Sequence, residues 1–296
     1  MSEPTDASCH IATCGDFLHR FVPLLEAVSD EHRLHLDDDE IRATTVDPAN
    51  VCMVNLTVSG EHLSDYVGHD GTEVGLRIGR VKPRFAYARK GRGNNDGDPV
   101  TIDVEPQRRR MITEIRRDGC WRTSGIPLMD PDSVRKEPEV PELRENYGWR
   151  SHIDAGDFAE AINSLNSDHN HVQFVITDVV DGGVSDNSTG DAVFYSASET
   201  DDGDVDDEIR FESAAEQVGD EDEPPVAYFS MDYLVDIADA VSAADVEKVI
   251  VEYGDNHPAF ITASIDEYGL DATYCLAPRI SDDELGAGQP SWGDSY

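Results

Sequence analysis

Apolar residues fall at helical spacing in two places that share a leading tripeptide. Gly15-Asp16-Phe17 is followed by Phe21, Leu24, Leu25 and Val28, and Gly156-Asp157-Phe158 by Ala161, Ile162 and Leu165. Both approximate the i, i+3, i+4, i+7 spacing of an amphipathic helix, with Asp16 and Asp157 as expected N-caps. Pro23 lies inside the first and predicts a kink. Period-two alternation follows each helix: Arg33–Leu36, Ile41–Val46 and Val51–Val58 in the first half, Val172–Thr177, Ala192–Ser196 and Glu208–Ser213 in the second. Ser230 opens a further helix with Leu234, Ile237, Ala238 and Val241 on one face. Strands at Val246–Tyr253, Ala259–Ile265 and Leu270–Leu276 come after it. The order helix, strands, helix, strands therefore occurs twice, a duplicated α+β architecture. By analogy, the second helix of the first half belongs near Val81–Lys90.

Asp178–Asp191, Thr200–Asp207 and Gly219–Pro225, rich in acids, Gly or Pro, read as loops. Asp130–Arg150, with prolines at 131, 138 and 141, reads as an extended connector between the halves. Five cysteines without a C-x-x-C pair argue against a disulfide framework. No apolar segment approaches the roughly 20 residues of a membrane span, so a cytoplasmic location is expected.

Charge changes the picture more. The formal net charge is −39 over 296 residues, and regular apolar periodicity distinguishes the chain from a disordered acidic one. Such self-repulsion suits a salt-rich cell interior. Residues 1–150 carry a net −7 and residues 151–296 a net −32. The stretch RIGRVKPRFAYARKGRG, Arg77 to Gly93, holds seven basic residues and no acid. At helical spacing Ile78, Val81, Phe85 and Ala88 share one side while Arg80, Arg84 and Lys90 point elsewhere, with Lys82 and Arg89 at the boundary. Pro83 fits best near N1, which predicts a helix start at about Lys82. Basic residues placed this way can neutralise phosphates without reading bases.

The connector LMDPDSVRKEPEVPEL, together with LDDDEIRATTVDPANVCMVNL and TYCLAPRI, resembles the DNA polymerase sliding clamp family (proliferating cell nuclear antigen, PCNA), especially its haloarchaeal form, in order over about residues 10–283. The resemblance implies two similar clamp domains, 1–129 and 151–283, each with helices on one side of antiparallel sheet. Residues 130–150 would connect them and 284–296 form a tail. Three chains would close into a ring around double-stranded DNA and tether DNA polymerase and other proteins bearing clamp-binding peptides, after opening by a clamp loader. Neither catalysis nor a cofactor is implied.

On this resemblance Arg80, Lys82, Arg84, Arg89 and Lys90 face DNA, with His19 and Arg20 on the first helix as further candidates. The corresponding helices of the second half carry acid instead, Asp232, Asp236 and Asp239 among them, so retention would rest on ring closure more than on affinity. Arg116, Arg117 and Arg122 would meet Asp207, Glu208 and the strand bearing Arg210 across the subunit seam. The partner-peptide groove maps to Val46, Met53, Val140, Pro141, Pro258, Cys275, Ala277 and Pro278. The tail QPSWGDSY loosely resembles a clamp-binding peptide, with Gln289, Trp292 and Tyr296 in place.

Two other readings compete. A metal-dependent enzyme would use acid runs such as DDGDVDDE, but Gly203 falls between the acids and the EF-hand spacing fails. A clamp-like paralogue or virus-encoded decoy would bind clamp partners or subunits without supporting replication.

Overall fold

The computed structural model describes residues 8–91, 96–136, 147–165, 170–181, 188–197, 207–218, 224–255 and 257–279. The chain begins with β1 (Cys9–Cys14), α1 (Gly15–Glu26), β2 (Glu31–Leu36), β3 (Glu40–Val46), β4 (Cys52–Ser59), β5 (Asp65–Val67) and β6 (Glu73–Arg77). It continues through α2 (Ile78–Phe85), β7 (Pro99–Glu105), β8 (Arg110–Arg117) and β9 (Cys120–Pro127). The pattern then repeats as β10 (Trp149–Asp154), α3 (Ala155–Ser164), β11 (His171–Asp181), β12 (Ser188–Ala197), β13 (Glu208–Gln217) and β14 (Val226–Ser230). It closes with α4 (Met231–Ala243), β15 (Lys248–Tyr253), β16 (Ala259–Ile265) and β17 (Leu270–Leu276). Apart from the short β5, both halves run strand, helix, four strands, helix, three strands.

Contacts group the chain into two compact units. The first takes residues 1–137, 239–247 and 263–273, and the second takes 138–238, 248–262 and 274–296. In the first unit, β5-β1-β7-β8-β9 form one antiparallel sheet and β4-β3-β2-β6 are consecutive neighbours in another. The buried faces of α1 (Phe17, Phe21, Leu24, Leu25) and α2 (Ile78, Val81, Phe85) account for the apolar spacing seen in the sequence. In the second unit β14-β11-β12-β13-β10-β15 run in order. Its core centres on Phe174, whose ring lies 4.3 Å from Phe194, 4.9 Å from Phe229 and 5.6 Å from Tyr253.

Several local expectations change. The N-caps are Cys14, whose Sγ accepts from Phe17 N, and Asp154, whose Oδ1 accepts from Gly156 N and Asp157 N. Asp16 and Asp157 sit inside the first turns instead, where a carboxylate still complements the helix dipole. Pro23 is accommodated within α1, at the loss of one backbone bond to the preceding turn. The expected loop 178–191 is shorter, because β11 continues to Asp181 and β12 begins at Ser188. A register shift after Thr177, with Asp178 at φ +52°, lets the polar stretch stay paired. The connector starts not extended but as a 3-10 turn, Pro131–Ser133, initiated by Asp130, whose side chain accepts from Asp132 N.

His32 on β2 is fully buried, with Nε2 donating to Ser29 O at 2.9 Å. Burial outweighs that carbonyl and pushes its pKa down from 6.5 to about 4. The folded chain therefore keeps the ring neutral where the unfolded chain protonates it. This stabilisation is complete above pH 6.5 and is lost progressively towards pH 4, by about 3 kcal/mol in all. Urea midpoints measured from pH 7 to 4.5 should fall more steeply for the wild type than for His32→Gln. Equal slopes would show that His32 is not the source.

Candidate nucleic-acid interface and partner surfaces

Helix α2 begins four residues earlier than its proline predicts, at Ile78 rather than Lys82. A remote cap explains this. Asp30, after α1, accepts Ile78 N on its carbonyl (2.8 Å) and Gly79 N on Oδ1 (2.5 Å), so two of the helix's orphan donors are satisfied. Gly79 leaves room for that carboxylate, since a Cβ there would meet Oδ1 at 3.1 Å. Pro83 consequently lies in the second turn of α2. Beyond Phe85 the chain turns on Tyr87 N→Arg84 O and Ala88 N→Phe85 O, and Ala88 is buried with the apolar stripe.

Most of the basic side chains predicted to face DNA are held by carboxylates of the same unit. Lys82 Nζ lies 2.6 and 2.7 Å from the Glu26 oxygens, Arg89 pairs with Asp118 at 3.5 Å, and Lys90 pairs with Asp245. Arg20 donates to Asp16 Oδ2 (2.8 Å) and to the carbonyls of Ala244 and Asp245, which follow α4. Burial pushes the Asp16 carboxyl upward, but Arg20 and the Tyr268 hydroxyl outweigh it and hold it below the usual range. His19 donates Nε2–H to Ala88 O at 2.9 Å. Arg80 and Arg84 differ. Arg84 Nη1 donates to Arg80 O (2.5 Å), and among the described residues neither guanidinium meets a carboxylate. On α3 the exposed side chains include Asp157 and Glu160, and on α4 Asp232, Asp236 and Asp239.

The arginines assigned to the seam are likewise engaged. Arg116 meets Glu114 at 2.8 Å. Arg117 Nε donates to Asp98 Oδ2 (2.8 Å), its Nη2 to Tyr87 O, and its guanidinium lies 4.4 Å from the Tyr87 ring centre. Arg122 lies over the same ring at 4.9 Å. Burial raises the Asp98 carboxyl, but Arg89 N and Arg117 more than compensate and hold it low. In the second unit Arg210 binds Asp178, Asp191 and Glu208, and Asp207 N donates to Ser196 Oγ. The seam strand itself begins at Glu208 and is not a free edge throughout. β13 pairs with β12 along one side and with β10 only at Ala215–Gln217, so Glu208–Ser213 keeps one side without a strand partner among the described residues.

Of the groove residues, Val46 and Met53 are the register pair that ends the β3–β4 ladder, Val46 buried and Met53 half-buried. In the second unit Pro258 and Cys275 are buried, while Ala277 and Pro278 are half-buried. Burial pushes the Cys275 thiol up to about 12, which keeps it protonated as a core group. Val140, Pro141, the tail and most of the acid run lie outside the described residues.

Sequence reading missed how the connector is anchored. Gly75 and Met129 exchange backbone hydrogen bonds, and Arg33 and Arg135 bind connector or turn backbone. Tyr147 and Glu252 both accept from Arg150 in the second unit, at 2.6 and 2.8 Å. No local spacing signals such long-range pairs; a basic residue inside a strand, as at Arg33, was the one clue.

No family model matches the chain. The DNA polymerase sliding clamp of Halobacterium salinarum is 30% identical over 268 residues, covering 90% of this chain and 96% of the relative. A solved structure of PCNA from A. fulgidus, bound to the C-terminal region of FEN-1, superposes with a TM-score of 0.67 at 21% identity, covering 92% of this chain and 98% of that one. The PCNA2-PCNA3 complex from Sulfolobus tokodaii gives 0.70 at 15% identity, covering 91% and 99%. Those structures share the fold, and the Halobacterium relative, alike along almost its whole length, places this chain in the DNA polymerase sliding clamp family.

Proposed function

We propose that three copies of this chain close into a ring around duplex DNA and act as a processivity factor, tethering DNA polymerase and other partners that carry clamp-binding peptides. The observation that carries this reading is the full-length likeness to a sliding clamp. The element order repeated in both halves supports it. The two clamp domains would be 1–129 and 151–283, with 130–150 between them and 284–296 as a tail. Work is done by topology and tethering, without a reaction at the clamp itself. Arg80 and Arg84 would supply the strongest phosphate contacts. The partner groove would use Val46, Met53, Val140, Pro141, Pro258, Cys275, Ala277 and Pro278.

Acid on the exposed faces of α3 and α4 makes ring closure more important than affinity. In about molar KCl, where the Debye length is about 3 Å, both repulsion from that acid and attraction to phosphates are screened. Light scattering in that buffer should give the mass of three chains. Protein loaded on nicked circular DNA should be retained through a salt wash and shed once the circle is cut. A one-chain mass, or retention indifferent to cutting, would overturn the proposal.

A further inference from the structure

The segment that opens the connector is held by two arginines that no local motif announces. Arg33, only 7% exposed, pairs Nη1 with Glu73 Oε2 at 2.7 Å. Its Nη2 donates to the carbonyls of Pro131 (2.6 Å) and Val134 (3.2 Å), the two sides of the connector's 3-10 turn. Immediately after that turn, Arg135 reaches across to the β3–β4 turn. Its Nη1 lies 2.6 Å from Asn50 Oδ1, 3.1 Å from Pro48 O and 3.4 Å from Asp47 O.

That turn is a rigid platform. Asp47, 2% exposed, accepts Val51 N and Cys52 N on Oδ1 and Ala49 N on Oδ2, at 2.6 to 2.7 Å. Asn50 adopts φ +59°, a left-handed conformation that asparagine tolerates and that points its amide towards Arg135. The turn joins Val46 to Met53, the two groove residues contributed by this unit. Arg135 therefore ties the connector's first turn to the loop that carries one wall of the proposed groove. Arg33 fixes the same turn from below through a buried, charge-paired fork.

We propose that Arg135, seated by the Arg33–Glu73 pair, is a positioning residue for partner-peptide binding, setting where the turn Pro131–Val134 stands relative to the Val46–Met53 wall. This rests on the clamp reading above. The acceptors of Arg135 are two carbonyls and an amide rather than carboxylates. The hold is therefore a set of directional hydrogen bonds, less sensitive to salt than the ion pairs around it. Arg135 is itself exposed, so its removal should leave the core intact.

The test uses the full chain in about molar KCl and a fluorescein-labelled peptide with glutamine, an aliphatic residue three positions later and two aromatic residues after it. Arg135→Ala should weaken peptide binding by about five- to tenfold, with Arg135→Lys recovering part of the loss. Asn50→Gly keeps the left-handed backbone while deleting the acceptor, and should cost about two- to threefold. The double variant should be no worse than Arg135→Ala alone. Thermal midpoints and assembly mass should stay at the wild-type values. Unchanged peptide affinity in Arg135→Ala and Asn50→Gly would overturn the proposal while leaving the clamp reading standing. So would an affinity loss matched by a fall in thermal midpoint that Arg135→Lys does not restore. If the wild type itself ignores the peptide, the partner reading falls, and this proposal with it.

Discussion

Thr123→Pro is expected to convert a three-chain assembly into single chains that remain folded. Among the described residues β9 has β8 as its only strand neighbour. The hairpin between them closes through Asp118 and Gly119, both at positive φ (+40° and +78°), so Arg117 and Cys120 form the first hydrogen-bonded pair. Alternation then turns the N–H groups of Trp121, Thr123 and Gly125 away from β8. Trp121, on this edge strand, is 68% exposed. The complementary edge would be Glu208–Ser213 of β13, which β10 leaves uncovered among the described residues. Proline at 123 deletes one outward donor and places its ring in the path of a docking strand without removing a β8 bond.

Main-chain pairing of this kind would explain assembly better than charge complementarity does. Arg117 is committed to Asp98 and Tyr87, and Arg210 to three acids of its own unit, so reversing them would injure the fold as well as the seam. Light scattering in about molar KCl, with Thr123→Val as the control, reads the result directly. A three-chain mass for the proline variant would exclude β9 as the seam.

The elements that sequence placed well are those whose signal is local. β16 and β17 fall at the residues their alternation indicates, and the buried stripe of α2 is the one its spacing gives. The start of α2 failed because its cap, Asp30, is 49 residues away from Gly79, and a proline rule applied alone chose the wrong turn. The candidate interface was legible as composition but not as electrostatics. Seven basic residues between Arg77 and Gly93 are visible in the sequence, whereas the carboxylates that occupy Lys82, Arg89 and Lys90 arrive from α1, from the β8–β9 turn and from the end of α4. An acidic chain supplies a partner for almost any exposed cation within reach, so the count of positive charges overstates the charge available to a ligand.

That distinction decides which substitutions matter for DNA. Arg80→Glu with Arg84→Glu should lower equilibrium binding to duplex DNA by more than about tenfold at 0.1 M salt, because two phosphate contacts are lost and two like charges are added. Lys82→Glu, Arg89→Glu and Lys90→Glu should each have a smaller effect, since their charge is already offset within the chain. Arg80 and Arg84 are one helical turn apart on α2, so both can address one phosphate run. The salt dependence provides the sharper reading: the slope of log K against log salt should become shallower by about 2 in the double variant, one for each contact removed. The assembly mass should not change, because neither residue lies on β9 or β13. Near 1 M salt, with a Debye length of about 3 Å, wild type and variant should converge, leaving ring closure as the common source of retention. An unchanged slope at intact mass would mean that α2 does not touch the phosphates.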